Sequence, residues 1–282
     1  MIKPFLQDDE LLDFIHSTDR ESGHFYLWWL GQSGFLIQWK GQHLLLDPYL
    51  SDSLTLKYAQ TDKPHIRMTE RVINPSSLDF IDVVTSSHNH TDHLDAATLI
   101  PLMAVNPEMN LIIPEANREF VSKRLQCAAH FPVGLNDGES CTVGSFTFHG
   151  IPAAHNDLDH DHQGRYLYLG YVIEFDCWSI YHSGDTLWFQ GMEEIIKPYS
   201  PQLALLPING NKPERKVAGN LDFDEAPGLA KAIGAKLMIP CHYDMFTFNT
   251  ADPADFRKAA ETLGQPARIL QCGEPWSSEE ML

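Results

Sequence analysis

Three histidines and an aspartate lie within six consecutive residues of this sequence, and they could bind metal ions. The segment reads HNHTDH over residues 88–93 and follows an apolar, β-branched run over residues 80–86. Such a run is typical of a buried strand, so the histidines are expected on the loop at its end. His88 and His90 can converge on one ion, whereas the adjacent Asp92 and His93 diverge and would serve a second ion. This loop could therefore begin two metal sites.

Three later residues that can bind metals also come at the ends of predicted strands. His155 follows the small residues GIPAA, Asp185 follows a glycine turn in YHSGDT, and His242 directly follows LMIPC. A carboxylate such as Asp185 could bridge two ions. Taken alone, each of the three could instead be polar surface, a helix cap or a satisfied core residue. We consider them as metal ligands because the cluster at 88–93 needs further ligands to hold two ions.

The elements predicted around these residues repeat one order twice. A meander of short strands opens the chain, strand–helix alternation follows from residue 82, and both patterns then recur. The predicted strands are 25–29, 35–39, 43–46, 80–86, 111–113, 145–151, 166–175, 178–182, 204–206, 236–239 and 268–270, and the predicted helices 10–16, 96–103, 115–125, 223–233 and 253–263. Two packed mixed sheets flanked by helices would give this order. We expect an α/β (α+β) four-layer αββα sandwich, in one domain over residues 1–282.

Composition narrows the function classes. The 282 residues carry 20 Lys and Arg against 38 Asp and Glu, a net charge of −18, which disfavours binding to nucleic acid or to an anionic membrane surface. No run approaches the roughly 18 apolar residues of a membrane span, and the first residues lack the apolar stretch of a signal peptide. Five cysteines without CxxC spacing favour a reducing, cytoplasmic location. The sequence leaves open whether the chain forms a homo-oligomer.

The order HNHTDH, AAH, HSGDT and PCHYDMF resembles the metallo-β-lactamase superfamily, and that superfamily has the αββα fold. The resemblance implies one ion on His88, His90 and His155, a second on Asp92, His93 and His242, and Asp185 between them. Further segments are similar to the branch that contains L-ascorbate-6-phosphate lactonase, namely WLGQSGFLI (29–37), LLDPYLSDS (45–53), LPING (206–210) and PCHYDMF (240–246). Within the first of these segments, Gln32 stands where that branch often carries histidine.

Two divalent cations, Zn²⁺ or Mn²⁺, would make a metal-bound hydroxide available at neutral pH. Asp92 is expected to orient this nucleophile, and Asp185 to fix the spacing of the ions. A leaving oxygen must then be protonated, for which a metal-bound water, Asp92 and Tyr243 stay open. We therefore treat Asp92, Asp185 and Tyr243 as candidate catalytic residues.

Two other segments are predicted to assist. Asp47, at the end of a strand before a proline, could orient a ligand histidine or simply form the turn. The loop with Asn209, Lys212 and Arg215 is the one basic loop that follows a strand predicted to end near the site. It could bind an anionic group of the substrate, although the sequence also fits a solvated surface loop, which is the commoner case.

The sequence thus predicts a metal-dependent hydrolase of a small molecule, with a lactone or related small carboxyl ester, phosphorylated or not, as the first hypothesis. The alternative is a phosphodiesterase that acts on a small molecule or lipid with the same two ions. A redox diiron protein would need a carboxylate in place of His90, and a noncatalytic metal-binding protein would be expected to lack Asp92 or Asp185.

Overall fold

The computed structural model describes residues 1–281, and its strands form two mixed β-sheets. The strands are β1 (Tyr26–Trp29), β2 (Phe35–Trp39), β3 (Gln42–Leu46), β4 (Val83–Thr85), β5 (Asn110–Pro114), β6 (Val133–Leu135), β7 (Ser140–Val143), β8 (Phe146–Pro152), β9 (Leu169–Phe175), β10 (Trp178–His182), β11 (Leu203–Pro207), β12 (Leu237–Cys241) and β13 (Pro275–Ser277). The helices are α1 (Asp8–Ser17), α2 (Ser53–Tyr58), α3 (Ala96–Val105), α4 (Arg118–Leu125), α5 (Met192–Ile196), α6 (Glu225–Ile233) and α7 (Pro253–Leu263).

Each sheet combines an antiparallel part with a parallel part. The first has the order β13-β1-β2-β3-β4-β5-β6, antiparallel from β13 to β3 and parallel from β3 to β6. The second has the order β12-β11-β10-β9-β8-β7, parallel from β12 to β10 and antiparallel from β10 to β7. The repeated order of meander and alternation in the sequence therefore corresponds to one sheet per half.

Local sequence explains the hairpins and the helix starts. Lys40 and Gly41 join β2 to β3 with positive φ angles of 48° and 77°, the conformation of the two-residue turns that match strand twist. Asp95 accepts a hydrogen bond from the backbone N–H of Ala97 and so caps α3, and Asp252 caps α7 in the same way.

Aromatic side chains fill the space between the sheets. The ring of Phe175 on β9 lies 5.4 Å from that of Phe25 and 5.5 Å from that of Trp39 on β2, and all three are buried. Burial of one such side chain contributes on the order of 1.5–3 kcal/mol to stability. These contacts hold the two sheets, and hence the loops at their ends, in one arrangement.

The structure departs from the predicted elements near the C-terminal end of the chain and at several short elements. Residues 268–270 do not form a strand, because pairing beside β12 is limited to one bridge between Met238 and Ala267. The edge strand is instead β13, next to β1. Strands β6 and β7 and helices α2 and α5 are short and were not predicted. Among the described residues, no helix combines the length and the apolar character that crossing a membrane requires.

Candidate metal centre

The loop after β4 carries the histidine cluster, and hydrogen bonds fix it at both ends. The hydroxyl of Tyr171 donates to the carbonyl of Ser86 (3.0 Å), and the N–H of Leu94 donates to the carbonyl of His90 (2.8 Å). Asp95 then starts α3 and also accepts bonds from the Ser51, Ser53 and Thr98 hydroxyls. The loop is therefore held by a buried tyrosine, by its own backbone and by the cap of α3.

The three later residues reach the same place from the second sheet. His155 follows β8, Asp185 follows β10 and His242 follows β12. Gly184 has a φ of 58°, and a Cβ at this position would lie 2.5 Å from the side chain of Ser87. This close approach of backbone brings Asp185 against the first loop.

All seven predicted ligands come together. Three overlapping groups have possible ligand atoms within 4.8 Å of one another: His88 with His90 and His155, His88 with His93 and Asp185, and Asp92 with His93 and His242. The Asp185 carboxylate lies between the first and third groups, with oxygens 3.3 Å from His93 Nε2, 3.4 Å from His242 Nε2 and 3.6 Å from His155 Nε2.

The donor atoms fit a metal centre. Nε2 of His88, Nε2 of His93 and Oδ1 of Asp185 are buried, and none has a hydrogen-bond partner. Buried polar atoms without partners are costly, and three of them converging with lone pairs are explained by cations among them. Imidazole and carboxylate are ligands that Zn²⁺, Mn²⁺ and Fe²⁺ accept.

Hydrogen bonds also set which histidine nitrogens are free. His155 donates from Nδ1 to the carbonyl of Gly219 (2.8 Å), and His93 donates from Nδ1 to Oδ2 of Asp47 (2.7 Å). Both tautomers leave Nε2 with its lone pair toward the cluster.

Asp47, for which the sequence left open a ligand-orienting role or a role in a turn, contacts the ligand candidate His93. It is fully buried, and besides His93 it accepts hydrogen bonds from the Thr85 hydroxyl (3.0 Å), the Ser87 N–H (3.0 Å) and the Ser87 hydroxyl. A carboxylate with this many donors is held in one orientation, and so is the imidazole that it contacts.

The histidines of the first group favour the neutral form that binds metals. Burial lowers the pKa of His88 well below its ordinary value, and the neighbouring His93 lowers it further. Burial lowers the pKa of His90 to about 4, and it lowers that of His155 against the attraction of Asp185. These imidazoles keep their lone pairs at neutral pH.

The carboxylates face opposite charge. Burial alone would raise the pKa of Asp185, but His93 and His242 hold it well below its ordinary value. Burial alone would likewise lower the pKa of His93, but Asp185 and Asp92 raise it well above its ordinary value. The site thus stabilises negative carboxylates beside positive charge. Divalent cations would supply that charge in place of the proton on His93 Nε2 and so leave its lone pair free for binding.

A cavity of about 430 Å³ opens over this cluster. Five of the ligand candidates line it, together with the apolar and aromatic side chains of Leu54, Tyr58, Phe120, Phe246 and Phe248. Its cations are Lys57 and Arg124. The Arg124 guanidinium already donates to the carbonyls of Asn89 (2.6 Å) and Leu94 (3.2 Å), so Lys57 is the cation left for a ligand.

The structure does not bring four other predicted residues into this cavity. Tyr243 is buried, stacks on Trp29 at 4.2 Å and donates its hydroxyl hydrogen bond to the carbonyl of Leu270 (2.5 Å). Its proton is engaged away from the cluster, so its placement gives no support to a catalytic role.

The loop with Asn209, Lys212 and Arg215 likewise lies outside this cavity. Lys212 and Asn209 line a separate cavity, and the Arg215 guanidinium donates to the carbonyls of Asn209 (2.5 Å) and Thr250 (2.9 Å) and to Asn249 Oδ1 (3.0 Å). These bonds fasten the loop to the segment after β12. The expectation that Asn209, Lys212 and Arg215 contact the substrate is therefore not supported by where they lie.

Two residues of the cavity were not predicted. Gln32 lies in the turn between β1 and β2 with its amide among the ligands, and Lys57 lies on the short helix α2. The available signal for Gln32 was its position where the similar branch often carries histidine, whereas nothing in the sequence distinguishes Lys57 from the other lysines.

Comparison with known proteins shows the family to which the chain belongs. A family profile described as a beta-lactamase superfamily domain matches residues 42–243. The chain is 32% identical over 199 residues to a UPF0173 metal-dependent hydrolase of Methanoculleus marisnigri, covering 68% of this chain and 80% of that one. It is 29% identical over 257 residues to a UPF0173 metal-dependent hydrolase of Thermoplasma acidophilum, covering 88% and 96%.

Among solved structures, Igni18, a metallo hydrolase from Ignicoccus hospitalis, matches with a TM-score of 0.65 and 24% identity, over 90% of this chain and 98% of that one. This similarity confirms the predicted metallo-β-lactamase fold. The chain belongs to the beta-lactamase superfamily and, within it, to the UPF0173 family of metal-dependent hydrolases.

Proposed function

We propose that the chain uses two divalent cations to hydrolyse a lactone or a related small carboxyl ester. One cation would lie between His88, His90 and His155, the other between Asp92, His93 and His242, with Asp185 bridging them. The observation that carries the proposal is the convergence of these ligand atoms, with unpartnered buried nitrogens, at the floor of a small-molecule cavity. Cavities of this size hold metabolite-sized ligands.

When bound, two such cations make water a nucleophile at neutral pH and polarise the carbonyl that it attacks. Asp92 is the candidate to handle the proton. It lines the cavity, its side chain is 18% exposed, and its Oδ2 lies 3.8 Å from His93 Nε2. It could accept one proton of the attacking water as the new C–O bond forms, then return it to the alkoxide as the acyl C–O bond breaks. This yields an alcohol and a carboxylic acid, which loses the second proton to solvent and leaves as the carboxylate.

The cavity wall supports an uncharged reacting group. Its apolar and aromatic side chains suit a lactone ring or an acyl chain, and Lys57 could contact a phosphate or carboxylate carried elsewhere on the substrate. This proposal places the anion contact at Lys57 and not at the loop with Lys212. The resemblance to the lactonase branch favours the same class.

The second candidate is a phosphodiesterase for a small molecule or lipid. Two cations can also hold the oxygens of an in-line displacement at phosphorus, and Lys57 could contact the remaining charge of the diester. The cations proposed are Zn²⁺ or Mn²⁺. Both sheets supply ligands, which supports one domain, and the five cysteines are free thiols, which supports a cytoplasmic location.

A substrate screen separates the two candidates. Protein loaded with Zn²⁺ or Mn²⁺ would be tested on neutral lactones, phosphorylated lactones and phosphodiesters, beside His88→Ala as the inactive control. We expect lactone hydrolysis that the variant loses. Turnover of phosphodiesters alone would favour the second candidate, and full lactone turnover by His88→Ala would contradict the assigned centre.

A further inference from the structure

The turn between β1 and β2 enters the metal centre directly. Its hydrogen bonds run from the N–H of Leu30 to the carbonyl of Gly34 (2.8 Å) and from the N–H of Gly34 to the carbonyl of Gly31 (2.9 Å). At its tip, Gln32 has a φ of 50°, in the left-handed region that non-glycine residues rarely adopt. This strained position aims the Gln32 side chain into the protein, where it is 1% exposed.

Gln32 links the two parts of the second ion's site. Its backbone carbonyl accepts hydrogen bonds from the N–H of His242 (2.9 Å) and the indole N–H of Trp29 (3.0 Å). Its amide Nε2 lies 2.7 Å from Oδ2 of Asp92 and 3.0 Å from Nε2 of His242. Asp92 comes from the first sheet and His242 from the second, so one residue contacts ligands from both.

The two amide distances match the spacing of neighbouring ligands on one ion. Ligands at right angles with bonds of about 2.1 Å lie about 3.0 Å apart. Oδ2 of Asp92 lies 3.8 Å from Nε2 of His93 and 3.7 Å from Nε2 of His242. The Gln32 amide is therefore closer to this carboxylate oxygen than either imidazole. The end of the Gln32 side chain is thus where a further ligand would lie.

The amide oxygen is the atom that can serve as a ligand. Oε1 of Gln32 is buried without a hydrogen-bond partner, and a half-turn about the Cγ–Cδ bond exchanges it with Nε2 in nearly the same space. A cation would take the lone pairs of Asp92 and His242 to which the amide nitrogen now donates. A carbonyl oxygen beside a carboxylate oxygen is favourable only with a cation between them.

We propose that Gln32, through Oε1, is a further ligand of the cation at Asp92, His93 and His242. With the bridging Asp185, this site then has two imidazole nitrogens and three oxygens. Such a set suits ions that accept five or six ligands, such as Mn²⁺ or Fe²⁺, better than a four-coordinate Zn²⁺. The inference rests on the proposed two-ion centre and not on the ester substrate.

Titration of chelator-treated protein with Co²⁺ tests this proposal, because the visible absorption of Co²⁺ reports the number of its ligands. The wild type is expected to bind the second Co²⁺ with the weak bands of five or six ligands. In Gln32→Leu, we expect its dissociation constant to rise about tenfold or more, and its bands to intensify as the site approaches four ligands. Gln32→Glu, which keeps an oxygen there, should restore the weak bands.

Gln38→Leu is the matched control, because Gln38 is also 1% exposed but lies on β2 and contacts Thr18. Circular dichroism of the metal-free variants checks folding. Gln32→Gly, which tolerates the left-handed backbone and removes the amide, replaces the leucine variant if that does not fold. Weaker binding with unchanged bands would overturn ligation by Gln32, because it would leave only the hydrogen bond to Asp92. Unchanged affinity and bands would also overturn it. The titration needs no substrate, so its failure leaves the ester proposal in place.

Discussion

At the scale of single residues, the centre depends on side chains that hold the ligands in place as much as on the ligands. Asp47 joins His93, Ser87 and Thr85 in one buried network, and His155 is held by the carbonyl of Gly219. The ligands themselves could be predicted from sequence, because four of them lie within residues 88–93 and the other three follow predicted strands. The side-chain directions of Tyr243 and Arg215 could not, since proximity to a strand end does not say where a side chain points.

Replacing Asp47 with asparagine should weaken metal binding without loss of the fold. The His93 imidazole would lose a charged acceptor, and loss of such a partner typically lowers metal affinity by about 10- to 100-fold. Competition with a chromophoric chelator measures the affinity. Asp82→Asn is the control, because Asp82 also accepts a backbone hydrogen bond, from His43, but lies outside the cluster. Equal affinities for the two variants would contradict this role of Asp47.

Lys57 is expected to contact the anionic part of a charged substrate. Lys57→Ala should raise KM for a phosphorylated lactone by roughly two- to fivefold, the effect of about 0.5–1 kcal/mol for an exposed ion pair, and leave KM for a neutral lactone unchanged. Lys212→Ala, in the separate cavity, should change neither. The reverse result would return substrate binding to the loop first predicted from sequence. The measurement is KM of the wild type and of both variants for the phosphorylated and for the neutral lactone.

At the scale of elements, strand ends and tight turns deliver the chemistry. The ligands outside the first loop directly follow β12 or lie three residues after β8 and β10, and the turn before β2 adds Gln32. The longer strands were predictable because their apolar runs are continuous or alternate clearly. The short edge strand β13 was not, because three residues carry too little pattern, and its pairing with β1 joins opposite ends of the chain.

Gly184 should be the least replaceable glycine of the site. Alanine there would place a Cβ 2.5 Å from Ser87, whereas nothing lies within 4 Å of the same atom built on Gly191, which also has a positive φ. Gly191→Ala should therefore cost about 1–2 kcal/mol of unfolding free energy, from its backbone alone. Gly184→Ala should cost about 1–3 kcal/mol more, from the overpacking, and weaken metal binding.

Urea unfolding and chelator competition on both glycine variants measure these effects. Equal stability and equal metal affinity would show that the approach of Gly184 to Ser87 does not position Asp185.

At the scale of the whole molecule, two sheets that resemble each other in strand order meet so that neither half holds the centre alone. The first supplies the 88–93 cluster and Gln32, and the second supplies His155, Asp185 and His242. Aromatic packing between the sheets fixes their distance. The net charge of −18 disfavours nonspecific binding to nucleic acid, which is in line with the small-molecule substrate that we propose.

The most direct test of the central claim is a titration of chelator-treated protein with Mn²⁺ or Zn²⁺, in which bound metal and lactone hydrolysis are measured on the same samples. We predict that hydrolysis rises with metal and levels off at about two ions per chain. Two results would contradict the account. One is a metal-free protein that hydrolyses the lactone as fast as the loaded protein, and the other is a fully loaded protein that hydrolyses no lactone or ester tested.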